Sequence, residues 1–302
     1  MAVPWALPAT WMDMPKVQQF NRGLSDGFMT ELSSGRFALL LAESLRIGLD
    51  IQIRKDYLNF YHNGLSVLAL SEHAASPLFR ARIHRKYVEG VDLPHPMAPS
   101  GDYRRFDATT EFVVPFVRCL PNLLANAEAY AGPEAIVEQK MIPASHALGA
   151  TVAFIDRQVQ VPGVRKKADL MGLTTNGRFV VAEVKQGLDN RIQHLMDQIR
   201  EYHVVVTGPD GRLREDIGVA YRRVIEQKQS LGLLPQHIRP PVDRAAVRCL
   251  LVLYGYNPLS ELLTRLRHTA AASTLAVDLV LLPKGCCELP PDTCWEHLCT
   301  VP

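Results

Sequence analysis

Long apolar runs are missing from this 302-residue chain. The longest, such as 37–42 and 249–254, fall far short of the roughly 18 residues that cross a bilayer, so no membrane span is expected. The opening MAVPWALPATW has no basic segment followed by an unbroken apolar stretch, so no export signal is read and the expected location is cytoplasmic. Cysteine is sparse, with 6 residues, and these are expected to be reduced thiols. Neither sign of charge dominates: 33 Lys and Arg stand against 31 Asp and Glu, for a net +2. That excludes a polybasic coat protein and a strongly acidic chain. It leaves local phosphate-binding patches open, since patches rather than averages bind phosphate. Internal repeats and low-complexity tracts are absent too. What is present is ample core material, 47% hydrophobic against 21% charged, and a length that suits about two domains.

The stretch 93–107, with three prolines and a glycine, is the best linker. It separates an N-terminal module, 1–106, from a larger part, 107–302. In the module, 36–48 reads as a helix stopped by Gly48. The period then changes to two, with Ile51 and Ile53 alternating with Gln52 and Arg54. Segments 56–62 and 65–71 flank Asn63-Gly64, a hairpin turn signal, and 79–87 adds a strand, giving an antiparallel meander. In the larger part, 109–119 reads as a helix that Pro115 would kink. Strands are expected at 135–142, 167–173, 179–185, 247–254 and 275–282. Helices are expected at 190–205, where Ile192, Leu195, Ile199 and Tyr202 share a face, at 216–232, and from Asn257-Pro258 to about 270. The fold class is α/β: a mixed sheet flanked by helices behind a β-rich module.

Asp169, thirteen intervening residues, and then Glu183-Val184-Lys185 carry the chemistry. On a strand, Glu183 and Lys185 share one face and Val184 takes the other. Such charges on an otherwise apolar strand are costly unless used. If Asp169 lies opposite Glu183, two carboxylates converge beside a lysine, the donor set that Mg²⁺ takes when phosphate completes its shell. The register decides this. A two-residue turn at Asn176-Gly177 would pair Asp169 with Val184 and separate the carboxylates. A three-residue loop, 175–177, with Gly177 left-handed, pairs Asp169 with Glu183. The bland alternatives are a surface hairpin with a cross-strand salt bridge and an ordinary amphipathic helix with Tyr202 in the core.

Asp169 with Glu183-Val184-Lys185, followed by a helix carrying Gln198-Ile199-Arg200-Glu201-Tyr202, resembles the PD-(D/E)XK nuclease superfamily. The helix resembles the Q-x-x-x-Y motif of its RecB-like branch, and Ala168 stands at the proline position. The resemblance covers about 107–282 and implies a restriction-endonuclease-like sheet and a Mg²⁺- or Mn²⁺-dependent deoxyribonuclease. Asp169, Glu183 and the Val184 carbonyl would hold the metal, and Lys185 would be catalytic. Gln198 and Tyr202 would support the site. A glutamate from the helix before the sheet would join them: Glu111 is favoured, with Glu138, Glu128 and Glu134 competing. Some relatives hold a [4Fe–4S] cluster with one cysteine before the core and three after it. Cys119, Cys287, Cys294 and Cys299 have that order, but not the usual tail spacing, so unligated thiols are the main expectation and zinc a further alternative.

In 79–86, Phe79, Ala81 and Ile83 alternate with Arg80, Arg82, His84 and Lys86. The basic face is expected either to contact DNA phosphates, with Arg54 and Lys55 extending it, or to be a solvated sheet face. A protein partner or homodimer through the module is also open. The expected function is a DNA nuclease of repair, restriction or phage or mobile-element defence. The alternatives are a non-catalytic binding module on the same fold and an RNase.

Overall fold

The structure is a computed structural model describing residues 20–73, 78–94, 97, 100–162, 166–187, 194–207, 212–242, 247–271 and 275–298. Helix α1 (Asp26–Ser33) starts where the Ser25 hydroxyl accepts the Phe28 N–H, and it buries Phe28 and Leu32. Helix α2 (Ala38–Arg46) is followed by Gly48 at φ +74°. Five strands then form an antiparallel sheet in chain order: β1 (Asp50–Ile53), β2 (Tyr57–His62), β3 (Leu65–Glu72), β4 (Phe79–His84) and β5 (Tyr103–Asp107). The Asn63-Gly64 turn has φ of 47° and 81°, as a two-residue hairpin with both central residues left-handed requires. Gly64 is needed twice over, because a Cβ there would lie 2.4 Å from that of Ala135.

Two expectations for the module are corrected. The strand from Phe79 ends at His84, and 85–88 form a 3₁₀ turn that buries Tyr87 and Val88. The proline-rich segment read as a linker supplies β5, whose Phe106 is buried.

Helix α3 (Thr110–Glu128) runs through Pro115 and Pro121 well beyond 119. Its buried stripe of Phe112, Phe116, Leu120, Leu123 and Ala127 outweighs an internal proline's cost of about 3 kcal/mol. The expected strand 135–142 is instead helix α4 (Pro133–Ala144), opened by Pro133 after Gly132. A strand not read from the sequence follows, β6 (Val152–Gln160), then β7 (Lys167–Thr174) and β8 (Phe179–Gln186). Next come α5 (Leu195–Thr207), α6 (Arg212–Ser230), β9 (Arg248–Tyr254), α7 (Glu261–Ala271), β10 (Val277–Leu282) and β11 (Glu296–His297). Helix α7 begins after Ser260, whose hydroxyl accepts the Leu262 N–H, while Asn257 accepts from Leu259 N in the preceding turn.

These strands make a mixed sheet ordered β11-β10-β9-β8-β7-β6, parallel across β8–β9–β10 and antiparallel elsewhere. Met141 and Ile142 of α4 pack on one face with Val184 and Leu170. Leu195 and Ile199 of α5 and Leu263 and Leu266 of α7 pack on the other. A further apolar cluster joins the two sheets, running from Phe28 and Phe60 to Val181, Tyr202 and Tyr221. No helix among the described residues is long and apolar enough to cross a membrane.

Candidate metal centre

The β7–β8 hairpin closes through 175–177. Thr174 N donates to Arg178 O at 2.9 Å, Gly177 N donates to Thr174 O at 2.9 Å, and Gly177 has φ +75°. This is the three-residue loop rather than the tight Asn-Gly turn. Leu170 pairs with Ala182 and Leu173 with Phe179, a register that brings Asp169 opposite Glu183. Asp169 Oδ2 accepts the Val184 N–H at 2.9 Å, which fixes the carboxylate across the ladder.

Lys185 gathers the surrounding oxygens. Its ammonium lies 3.1 Å from Asp169 Oδ2, 2.9 Å from Glu183 Oε1, 2.8 Å from the Val184 carbonyl and 2.8 Å from Glu134 Oε1. The contact to Glu183 is an ion pair without hydrogen-bond direction, and among the described residues neither buried Glu183 oxygen has a hydrogen-bond donor. The three groups expected to ligate a cation therefore already surround one, supplied by the chain itself.

Helix α4 completes the cluster. Glu134 and Glu138 are one turn apart and reach the same side. One carboxylate oxygen from each, with one from Asp169, lie within 4.8 Å of one another. Glu138 Oε2 accepts from Arg157 at 2.9 Å and from Gln158 Nε2 at 2.9 Å, and Gln158 Nε2 also lies 3.3 Å from Asp169 Oδ1. Gln158 has φ +49° near the C-terminal end of β6, a left-handed conformation that residues bearing a Cβ rarely adopt. Strain of this kind gathers where the surroundings over-determine a side chain's position.

Burial and mutual repulsion shift the acids. Burial, then the Asp169 charge, raises Glu183 to about 8. Burial and Asp169, partly countered by Arg157, raise Glu138 to about 7. Burial opposes the charge on Lys185, but Asp169 and Glu183 outweigh it and hold the ammonium protonated. Glu134, Glu138 and Asp169 form an oxygen-only set that could hold a hard metal ion, and the buried Glu183 carboxylate stands beside it on the other side of Lys185.

Gln198 and Tyr202 lie on α5, which packs on β8, and both are buried. Gln198 Nε2 donates to the Tyr202 hydroxyl at 3.4 Å, and Lys166 Nζ donates to Gln198 Oε1 at 3.0 Å. Burial, then the Glu183 charge, raises the Tyr202 hydroxyl, so this tyrosine stands within the electrostatic reach of the site. Among the described residues neither side chain bonds directly to Lys185.

Glu111 is not brought to the site. It is exposed in the first turn of α3, where a hydrogen bond from Thr109 lowers its carboxyl. Its place is taken by Glu134 and Glu138, whose shared helix face a strand reading of 135–142 conceals. Glu128 bonds to His62 at 2.9 Å. None of the described cysteines joins the acidic cluster. Cys119 donates to Asp92 O at 3.5 Å, Cys287 packs against the mixed sheet's apolar cluster, Cys294 is exposed, and Cys299 lies outside the described residues.

Arg80 and Arg82 keep the alternation expected of β4, facing away from buried Phe79, Ala81 and Ile83. His84 instead caps the 3₁₀ turn by accepting from Lys86 N, and Lys86 sits in that turn over the Tyr130 ring. Arg54 does not extend the basic row. It is buried against Asp156 at 2.5 Å. No family model matches the chain, and neither the curated proteins nor the solved structures give a match.

Proposed function

We propose that this chain is a Mg²⁺- or Mn²⁺-dependent nuclease hydrolysing phosphodiester bonds in DNA, with β6–β10 and their helices as a PD-(D/E)XK, restriction-endonuclease-like core. One observation carries the reading: Asp169, Glu183 and the Val184 carbonyl converge around a single cationic position on paired strands. Asp169, Glu183, the Val184 carbonyl and Glu134 or Glu138 would hold the metal. When bound, the metal would polarise the phosphodiester and lower the pKa of a water.

The chain's own groups have separate tasks. Lys185 keeps a compact positive charge beside the reacting phosphate and offsets negative charge growing on its oxygens. Gln158 and Arg157 hold Glu138 in place, so the carboxylates need little rearrangement. Tyr202 and Gln198 close the α5 side of the site. The parallels in the sequence, D…E-x-K and Q-x-x-x-Y, support the same assignment.

The test is cleavage of plasmid, linear and single-stranded DNA with Mg²⁺, Mn²⁺ or chelator, with RNA as control. Metal-dependent DNA cleavage is expected. Asp169→Asn, Glu183→Gln and Lys185→Ala should each lower it by about 100-fold or more. Wild-type cleavage by a folded Glu183→Gln variant, or no cleavage of DNA with either metal, overturns the assignment. Cleavage confined to RNA replaces the substrate.

A further inference from the structure

The first sheet has a polar face that the carboxylate site does not use. The β4–β5 register places Arg82 directly opposite Arg105, and Arg80 opposite Asp107. Like charges facing each other across an antiparallel pair repel. Yet none of these three arginines makes an ion pair among the described residues. Arg80 Nε is buried without a hydrogen-bond partner. The nearby Glu72 carboxylate is turned to the Ser25 hydroxyl, at 2.6 Å. With Tyr57, Ser71, His73 and Glu72, the one acid in the lining, the three arginines border a cavity of about 430 Å³. The Arg82 guanidinium lies 4.7 Å from the centre of the exposed Tyr103 ring. Unpaired arginines beside hydroxyls and an exposed aromatic suit a nucleic-acid strand, whose phosphates take the charge and whose bases stack.

Beneath this face, buried side chains connect it to the carboxylates. Asn59, Ala69, Arg82 and Arg105 are successive partners across β2, β3, β4 and β5. With strands about 4.8 Å apart, Arg82 lies about 10 Å from Asn59. Asn59 donates to the Tyr61 hydroxyl at 3.0 Å, the Tyr61 ring lies 5.0 Å from the Arg157 guanidinium, and Arg157 holds Glu138. We propose that the arginine-lined half of this face is a phosphate track that binds the DNA backbone and holds the substrate on the chain that carries the metal centre. The proposal rests on the nuclease reading for the kind of nucleic acid bound, and its occupant is set by the unneutralised arginine charge beside an exposed aromatic ring. The sites differ from the row expected from sequence: Arg105 joins, while His84 and Lys86 serve the turn.

The experiment measures binding of labelled single-stranded and duplex DNA to the full chain by fluorescence anisotropy, across about 50 to 200 mM salt. Arg82→Ala with Arg105→Ala is compared with Arg82→Lys with Arg105→Lys. Arg265→Ala on α7 serves as a surface control. The alanine pair should weaken binding about tenfold and flatten the slope of log K against log salt by about 1.5, as for two lost phosphate contacts. The lysine pair should recover most of both, and the control should change neither. Circular dichroism establishes that the variants are folded.

If wild type cleaves DNA but the alanine pair keeps its affinity and slope, the track is refuted and the nuclease reading stands. If the alanine pair loses DNA while wild type never cleaves, the track stands and the nuclease reading fails. If wild type binds no DNA, the track falls. A change in sedimenting mass with DNA binding unaltered makes the face a contact between copies and also overturns the track.

Discussion

Gln158 and Asp169 meet across the β6–β7 ladder, with Gln158 Nε2 3.3 Å from Asp169 Oδ1, and the same amide holds Glu138 at 2.9 Å. One neutral donor thus ties together two carboxylates that would otherwise repel. It does so from a backbone at φ +49°, a strain worth about 1 to 3 kcal/mol for a residue with a Cβ. Gln158→Ala keeps the strain and loses the tie, whereas Gln158→Gly loses both. The glycine variant should be more stable than the alanine variant by about 1 kcal/mol in urea unfolding. Both should bind Mn²⁺ about tenfold more weakly by titration calorimetry. Unchanged Mn²⁺ affinity in the alanine variant would show that the tie is not used.

Metal affinity should be steeply pH-dependent. Glu138 and Glu183 are raised to about 7 and about 8, mainly by burial, so their folded forms keep protons that the unfolded chain releases near 4.5. The stability they lend is therefore full below about pH 4.5 and is lost as pH rises through about 7 to 8. Metal-free protein should melt at progressively lower temperature across that window, and Mn²⁺ affinity should climb over the same range. Glu183→Gln should flatten part of the melting trend. A wild-type melting temperature that rises from pH 5 to 8 without metal contradicts the burial of these acids.

Removing Lys185 should separate charge balance from folding. Its ammonium is the cation among Asp169, Glu183 and Glu134. In metal-free Lys185→Ala those acids lose it, at a cost of up to about 3 kcal/mol at pH 8. Divalent cations should restore more stability to this variant than to wild type, measured as the shift in thermal midpoint with added Mn²⁺. Equal shifts in the two proteins would place the metal away from Lys185.

The two sheets should unfold together. Asp156 on β6 is buried between Arg54 at 2.5 Å, Arg22 at 3.3 Å and the Tyr221 hydroxyl at 2.8 Å. Burial raises the Asp156 carboxyl, but Arg22 and Arg54 outweigh it and hold it low. Arg54→Ala leaves part of a buried charge uncompensated and should cost about 3 kcal/mol. Because one apolar cluster spans both sheets, unfolding followed by circular dichroism in urea should remain a single transition in both proteins. Two separated transitions would show that the first sheet folds on its own.

Much of the local chemistry was legible in the sequence, and the reason is periodicity. The Asn63-Gly64 turn, the apolar alternation of Phe79, Ala81 and Ile83, and the Leu195, Ile199 and Tyr202 face of α5 are set by neighbours a few residues apart. The pairing of Asp169 with Glu183 was a condition the chemistry imposed, and the left-handed Gly177 meets it. The existence of the two hairpins, the Asp169 and Glu183-Val184-Lys185 spacing and the mixed α/β class are thus readable locally, whereas the register of the second hairpin is not.

Tertiary contact decided the rest. Helix α4 reads as a strand because its buried side includes Glu138, so a charged residue stands where the helical apolar stripe should continue. Arg54 looks like an exposed base on an alternating strand until Asp156, 102 residues away, buries it. Glu111 sits in the right kind of helix, but α3 begins beside the first sheet and leaves it in solvent. In each case the deciding group is a charge that becomes affordable inside the fold only when a distant partner arrives, and no local pattern records that partner.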